Sequence, residues 1–416
     1  MINRPSNSTD VCIIGSGIVG MSVAYQLLER HPSLSITVLD KESSVGKHGS
    51  GRNSGVLHAG LYYDPASLKA KVCVAGAKRL KAWCEEEDLP VLTCGKVITP
   101  QKEDLDAQLE VLLERGQANG ASVELIDEQQ FHELVPDGHT SSGRALWSPG
   151  TSIVKPILVV QRLRQRLEEK GVNFIFTEAN WSVSTNQKCI TLSNGSSLSY
   201  SHLFNCAGLQ ADRVAHKFGI GKQFTMLPFR GNYWELKKDT PFQFNTNLYP
   251  VPDLDIPFLG VHVTPSIDGT IYLGPTATPA LGRENYKGLD NLEPWMSLEF
   301  SRHMLTQLFL SKKMRRYVHE QAFEWLPKKF LSAAQSIVPK LKMDHIQRSD
   351  KVGIRPQLYD KKNHMLVDDF IMLDGPDSTH VINAISPAFT ASFALADLII
   401  NKSCIFSCNP YSRPYK

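Results

Sequence analysis

The 416-residue chain reads as α/β, α+β overall, on three observations. Residues 10–40 run from an apolar strand through Gly-Ser-Gly into a helix and then a second strand that ends on Asp40. A second strand-to-helix turn, Cys206-Ala207-Gly208, recurs far downstream, and near the end of the chain a third strand meets a helix through Ser386-Pro387. Between them lie stretches that are first strand-like and then helical, rich in aromatics. Together these features predict a Rossmann-like nucleotide-binding domain built from discontinuous segments, 1–92, 150–222 and 346–403. A mixed-sheet substrate-binding cap takes 93–149 and 223–345, and 404–416 form a tail.

The opening unit assigns a physical job to each residue type. Gly15 permits the tight turn, Gly17 removes a side chain that would block a pyrophosphate, and Gly20 lets the helix lie close on the strand. The helix entered at Ile18 and Val19 offers N–H groups and a positive dipole end to phosphates. Asp40 is placed to accept hydrogen bonds from a ribose hydroxyl pair, whereas Lys41 is a weak signal for a 2′-phosphate, so NADP is not the favoured ligand.

After Asp40 the chain is rich in Gly and Ser to residue 60. Such a loop is either merely flexible or built for close backbone approach to a flat or phosphorylated ligand, with Arg52, Asn53, Ser54 and His58 supplying polar contacts; its position after the nucleotide unit favours the second. A helical pattern begins at Pro65. Residues 103–116 carry Leu105, Leu109, Leu112 and Leu113 at helical spacing and stop at Gly116. A further helix starts near Pro156, with Ile157, Val160, Leu163 and Leu167 on one face and Gly171 as its stop. Short strands follow, two of them joined at Asn194-Gly195.

Residues 226–345 hold three strand-like segments and then a helical run from 293 to 341. Within that run, 311–330 carries six Lys/Arg (312, 313, 315, 316, 328 and 329) against Glu320 and Glu324, interleaved with Trp325, Leu326 and Phe330. Two readings stand side by side: a solvated helix face over core aromatics, and a surface for an anionic membrane. At the end of the chain, Ser386 and Pro387 read as N-cap and first residue of a helix whose N-terminus would stabilise negative charge on a cofactor ring.

Composition excludes some classes. With 45 basic and 42 acidic residues the net charge of +3 gives no general reason to expect nucleic acid. Eight scattered cysteines include no CxxC and no Cys/His cluster at zinc spacing, so no metal site is expected; Cys404 and Cys408 read as part of an exposed tail. Nine or so residues before the first strand leave no room for a targeting peptide, and no apolar run of about 18 residues is present. The expectation is a cytoplasmic enzyme, with attachment to the inner face of the membrane as the finer alternative.

At this point the residues resemble a known family, the glycine oxidase/D-amino-acid oxidase superfamily of FAD enzymes, and within it the L-2-hydroxyglutarate dehydrogenase/oxidase group. The carriers are IGSGIVGMSVAYQLLER, NSGVLHAGLYYDPASLKAKVC, LFNCAGLQAD, PFRGNYWEL, YPVPDLDIPFLGVHVT, LGPTA, LVDDF and SPAFTASFALAD. The chain departs from the group at Arg52, where His is more usual, at 353–357, and at Ala388, where Gly is common. The resemblance implies FAD as cofactor, held by the glycines of the first turn, Asp40, Lys41, Arg52, Asn53, Ser54, Gly55, Ala207, Gly208, Gly353, Arg355, Pro387, Ala388, Phe389 and Thr390. It also places His58, His262 and Arg355 near the flavin.

Oxidising a 2-hydroxy acid moves a hydride from Cα to the flavin N5 while a base removes the hydroxyl proton. A neutral His suits that base, and His58 and His262 are the candidates. Arg355 offers a planar two-pronged donor for the substrate carboxylate. A second carboxylate, as in hydroxyglutarate, needs another cation or hydroxyl donors, for which Arg230, Arg52, Tyr62, Tyr63 and Tyr233 all qualify. Arg230 reads equally as a salt-bridge partner. The leading expectation is oxidation of L-2-hydroxyglutarate to 2-oxoglutarate; the alternatives are an amine or amino-acid oxidase of the same fold and a flavin-binding partner protein without turnover. Oxygen, a quinone and an electron-transfer flavoprotein all stay open as electron acceptor.

Overall fold

A computed structural model describes residues 7–254, 259–320, 323–403 and 405, so Cys404, Cys408 and nearly all of the predicted tail lie outside the described residues. The chain forms two compact units, one of residues 1–51, 157–226 and 356–416, the other of 52–156 and 227–355. Residues 346–355, grouped by sequence with the nucleotide-binding segments, belong to the second unit, and 223–226 to the first; 52–92 and 150–156, also grouped with the nucleotide-binding segments, belong to the second unit as well. The reason is pairing: strands Val56–Leu57 and Val91–Thr93 both bond to Ser152–Val154 in a small antiparallel sheet of their own.

In the first unit the apolar run Ser8–Ile14 is the central strand. It pairs in parallel with Ile36–Leu39 on one side and with Ser197–Asn205 on the other. Asn173–Ile175 extends the sheet beyond Ile36–Leu39, and Ser378–Asn383 extends it beyond Ser197–Asn205, again in parallel. The hairpin predicted at Asn194-Gly195 forms, with Gly195 at φ +82° and Cys189–Thr191 paired antiparallel to Ser197–Asn205. Cys12, Ile14, Leu39, Leu203, Val214 and Trp181 pack as one apolar cluster. Helix Ile18–Arg30 lies against helix Ser392–Lys402, with Tyr25 and Phe393 ring centroids 5.5 Å apart and Arg30 paired to Asp397.

That last helix corrects one expectation. It begins at Ser392, not after Ser386-Pro387. The intervening residues are spent in turns, in which the Ala388 N–H donates to Ile385 O and the Ala391 N–H to Pro387 O. Two bounds also shift at the predicted helix 103–116. Residues Glu103–Leu105 form a separate 3-10 turn and the α-helix runs Ala107–Ala118, straight through Gly116. Gly116 is there for packing: a Cβ would lie 2.9 Å from Leu61 and from Val123. The chain leaves the helix at Gly120, φ +79°. Pro156–Glu169 matches its prediction, with Val160, Leu163 and Leu167 buried and Gly171 at φ +84° just beyond.

The second unit is built on a mixed sheet in which Glu124–Asp127, Arg144–Ser148, Lys96–Thr99, Asn247–Pro250, His262–Pro265, Ile271–Gly274, Phe224–Leu236 and Ile346–Asp360 lie side by side in that order. Only Lys96–Thr99 and Asn247–Pro250 among the registered pairs run parallel. Successive side chains alternate between faces. Val97, Trp234, Leu248 and Val263 therefore point one way, into a core closed by Phe330, Ala334, Ile337 and Val338. Ile98 and Tyr249 point the other way, into a smaller cluster with Leu61, Leu109 and Leu112. The polar positions Lys96, Tyr233, His262 and Thr264 alternate with that core and share the second face.

In the first unit, a Cβ on Gly20 would lie 2.1 Å from Gly15 O and 3.1 Å from Ile13. Gly20→Ala should therefore cost about 1–3 kcal/mol through forced separation of helix and strand, read as a lower melting temperature.

Candidate active site

The nucleotide end of the first unit is made by two turns that leave adjacent parallel strands, since Ile14 and Asn205 are register partners. Gly15 sits at φ +106°, and a Cβ there would meet Cys206 O at 2.5 Å, so the two turns touch through a glycine. Ser50 Oγ accepts from the Ile18 N–H (2.9 Å), closing the 41–51 loop over the start of the helix, whose N-cap, Gly17, brings no capping side chain. Val19 and Gly20 follow in the buried first turn. Gly208, at φ +54°, has open space where a Cβ would stand. A crevice beyond the carboxyl ends of neighbouring parallel strands, floored by glycines, fits a dinucleotide pyrophosphate.

Asp40 braces this loop. Its Oδ2 accepts from Ser16 N (2.7 Å) and Ser16 Oγ (2.6 Å), and its Oδ1 from Glu42 N (2.9 Å). Lys41 Nζ and His48 Nε2 both bond Glu42 Oε1, and although burial pushes the Glu42 pKa up, these two partners hold it below its ordinary value. Pro387, Ala388, Phe389 and Thr390 lie in the turns before the last helix, with Ala388 and Thr390 buried.

Arg52, Asn53, Ser54 and Gly55 belong to the second unit, where their groups build the local turn. Asn53 Oδ1 accepts from the Gly55 N–H (2.9 Å) and Ser54 Oγ from the Val56 N–H (3.4 Å). Gly55, φ +84°, passes so close to Val154 O that a Cβ would lie 2.3 Å from it. The Arg52 guanidinium lies 4.2 Å over the Tyr286 ring, and Gly353 leaves room for Arg52 O, which a Cβ would approach to 2.8 Å.

The second unit gathers most of the residues singled out for chemistry on the polar face of its sheet. His262 is buried and stacks on Tyr249, centroids 3.9 Å apart. Its Nδ1–H donates to Gly260 O (2.9 Å), which leaves the lone pair on Nε2. His58 comes from a segment pinned by its neighbours: Cys73 Sγ donates to His58 O, Arg115 to Tyr62 O (3.0 Å), and Asn119 to both Gly60 O and Tyr63 O. Burial pushes His262 down to about 3, with Lys96 and Arg355 adding to the effect, and His58 is driven well below its ordinary range by burial, then Lys96, His262 and Arg355. Burial likewise lowers Arg355, against the opposing influence of Tyr233, Tyr63 and Tyr317. These mutual influences tie His58, His262, Arg355, Tyr63 and Tyr233 into one group, with Tyr62 beside Tyr249.

Arg230 stands differently. It bonds Asn285 Oδ1 (3.3 Å), not a carboxylate, so the salt-bridge role gains no partner among the described residues. Three members of the group escaped the sequence reading. Tyr249 and Tyr317 are fully buried aromatics, and Tyr317 Oη donates to Ala277 O. The third, Lys96, is wholly buried, 4.9 Å from the Tyr249 ring and 5.2 Å from that of Tyr62. Its only sequence signal is a lysine opening an otherwise apolar strand, KVIT.

Comparison with known proteins agrees with the geometry. Residues 10–402 match the family model described as "FAD dependent oxidoreductase", DAO. The chain belongs to this family of FAD-dependent oxidoreductases. FAD is accordingly its cofactor, and the glycine-floored crevice of the first unit fits it. The chain is 37% identical over 407 residues to the mitochondrial L-2-hydroxyglutarate dehydrogenase of Caenorhabditis elegans, covering 95% of this chain and 93% of that protein. It is 33% identical to the Homo sapiens enzyme of the same name, covering 95% and 89%, and 35% identical to the L-2-hydroxyglutarate dehydrogenase of Salmonella houtenae, covering 94% and 92%. Among solved structures the fold resembles L-alpha-glycerophosphate oxidase from Mycoplasma pneumoniae with FAD bound (TM-score 0.74, 22% identity, 98% and 97% covered). It also resembles glycine oxidase from Geobacillus kaustophilus (TM-score 0.71, 15% identity, 95% and 94% covered). Among the described residues no helix is long and apolar enough to cross a membrane.

The depressed histidines set the acid limit of the fold. Burial lowers His202 and His380 of the first unit to about 4, as it lowers His262 to about 3. Each is neutral when folded but takes a proton near pH 6.5 when unfolded, so the unfolded chain binds more protons between those values and stability falls as pH drops through that window. Melting curves from pH 7 to 4 should show a continuous loss beginning near pH 6.5, and His202→Gln should flatten it.

Proposed function

We propose that the chain oxidises an L-2-hydroxy dicarboxylic acid, L-2-hydroxyglutarate in the first instance, to the 2-oxo acid. The observation that carries this reading is the polar face of the second unit's sheet, where a neutral His with its lone pair on Nε2 stands in one group with a buried guanidinium. FAD, when bound, supplies the hydride acceptor. The turns at Gly15, Gly17 and Gly20 and at Ala207-Gly208 would hold its pyrophosphate, and Asp40, with bonds from Ser16 and Glu42 already in place, retains acceptor capacity for a ribose hydroxyl.

Arg355 takes the carboxylate beside the reacting carbon, as a bidentate donor. His262 Nε2 accepts the hydroxyl proton, held in orientation by Gly260 O and the Tyr249 ring; His58 completes the wall beside it. In the free enzyme His262 is a poor base because it is desolvated and faces two cations, Lys96 and Arg355. A dianionic substrate offsets both positive charges and so removes the coulombic part of that depression, the part that adds to burial. An amine substrate would bring positive charge to the same place, which the cations oppose.

A membrane-facing position for this enzyme is supported by a separate observation. Helix Pro294–Leu310 buries Met296, Phe300, Met304 and Gln307 on one face and exposes Trp295 (84%), Leu298, Leu305 and Phe309 (82%) at helical spacing on the other. A helix apolar on both faces calls for a second apolar surface. The next segments add exposed cations, Lys312, Arg315, Lys328 and Lys329, and expose Phe323 and Trp325, so the aromatics of 311–330 are not all core, although Tyr317 and Phe330 are buried. Apolar insertion beside a cationic rim suits an anionic bilayer surface.

Anaerobic mixing of the FAD-loaded enzyme with L-2-hydroxyglutarate should bleach the flavin stoichiometrically; absence of bleaching contradicts the substrate assignment. His262→Asn, which keeps the Nδ1-like donor and deletes Nε2, should slow bleaching about 10²–10⁴-fold with substrate affinity little changed. In flotation assays the protein should rise with vesicles containing anionic lipid, and Trp295→Glu/Phe309→Glu should leave it at the bottom of the gradient.

A further inference from the structure

Lys96 is an anomaly that the reaction so far leaves unexplained. Its residue exposure is 0%, and its Nζ has no hydrogen-bond partner among the described residues. A buried ammonium is ordinarily paired, because desolvation of an isolated charge is costly. Here the facing groups are the Tyr62 and Tyr249 rings and two thiols, Cys73 and Cys94, which burial keeps protonated. Among the described residues no carboxylate pairs with it; two aromatic faces compensate a cation only in part. Burial lowers Lys96 to about 8, which leaves it mainly charged at neutral pH.

Its placement is specific. Lys96 opens the strand that pairs in parallel with Asn247–Pro250, and alternation puts it on the same face as Tyr249 and His262. Beside it, Tyr62 Oη is also buried without a hydrogen-bond partner. An unpaired donor cation 5.2 Å from the ring of a tyrosine whose hydroxyl is also unpaired, both held in the group that contains the candidate base, is an anion site awaiting its anion. Arg355 already serves one carboxylate of the proposed substrate, and hydroxyglutarate has two.

We infer that Lys96 Nζ, with Tyr62 Oη, binds the second carboxylate of the dicarboxylic substrate, the one distal to the reacting carbon, and so selects diacids over monoacids. The inference rests on the 2-hydroxy acid reading and adds to it a residue that sets specificity. It also explains why the lysine is tolerated: it weakens the ligand-free fold and is neutralised when substrate arrives.

The test uses FAD-loaded wild type and Lys96→Met, whose side chain fills the same space without charge. Three readouts separate the outcomes. First, the ratio of kcat/KM for L-2-hydroxyglutarate over L-2-hydroxyvalerate, its monocarboxylate counterpart, should fall about 100-fold in the variant, mainly through KM, as for truncation of one partner of a buried charge pair. Second, glutarate, which cannot react, should raise the melting temperature of wild type but not of Lys96→Met, and butyrate should do little to either. Third, without ligand the variant should melt at the same temperature as wild type or higher, since a buried unpaired charge has been removed. An equal fall with both substrates, an unchanged ratio, or a variant that unfolds would overturn the inference. Wild type inert toward both hydroxy acids removes the reaction reading instead, and the glutarate arm still decides whether Lys96 holds a diacid.

Discussion

The period-two alternation of the second unit's sheet is the constraint on which the rest depends. Val97, Leu248, Val263 and Trp234 must point to one face, because Phe330, Ile337 and Val338 close a core there. Once that face is fixed, Lys96, Tyr249, His262 and Tyr233 have nowhere to point but the other. A slip of one residue in Lys96–Thr99 would bury the lysine in the apolar core, and one in His262–Pro265 would turn the candidate base away. Folding stability and the placement of the polar group are thus enforced by the same register.

The electrostatics of that face run against the stability of the free protein. Two cations and two imidazoles share a desolvated region, and besides burial Lys96 and Arg355 both depress the protonation of His58 and His262. Local destabilisation of this kind is expected where function requires groups held ready for a ligand. On the proposed reading a dianion relieves it, since its two charges meet Lys96 and Arg355. On the same reading, binding of the diacid and relief of the charge on the candidate base are coupled, and an amine, which brings positive charge, is disfavoured.

Legibility in the sequence divides along the range of the interactions. The first unit's turn was readable because Gly15, Gly17, Gly20 and Asp40 act within one short stretch, and the structure shows the steric reasons in Gly15 against Cys206 and Gly20 against Gly15. His58, His262, Arg355, Tyr62, Tyr63 and Tyr233 were reachable through motif context. Lys96 was not, because a lysine at a strand end looks like a surface residue until Tyr62 and Tyr249, distant in the chain, enclose it. The end of the chain misled for the opposite reason: Ser386-Pro387 has the local grammar of a helix start, yet the backbone spends residues 387–391 in turns before Ser392. Gly116, readable as a stop, serves instead as a contact for Leu61 and Val123, a tertiary requirement that no local pattern reports.

The central claim is that one face of this sheet receives both ends of a diacid around a neutral base. A crystal structure of the FAD-loaded enzyme with 2-oxoglutarate tests it most directly. The account predicts the C1 carboxylate on Arg355, the C5 carboxylate on Lys96 Nζ and the C2 oxygen within hydrogen-bond reach of His262 Nε2. A product bound away from this face, or seated with its C5 carboxylate in solvent and Lys96 still unpaired, would contradict it.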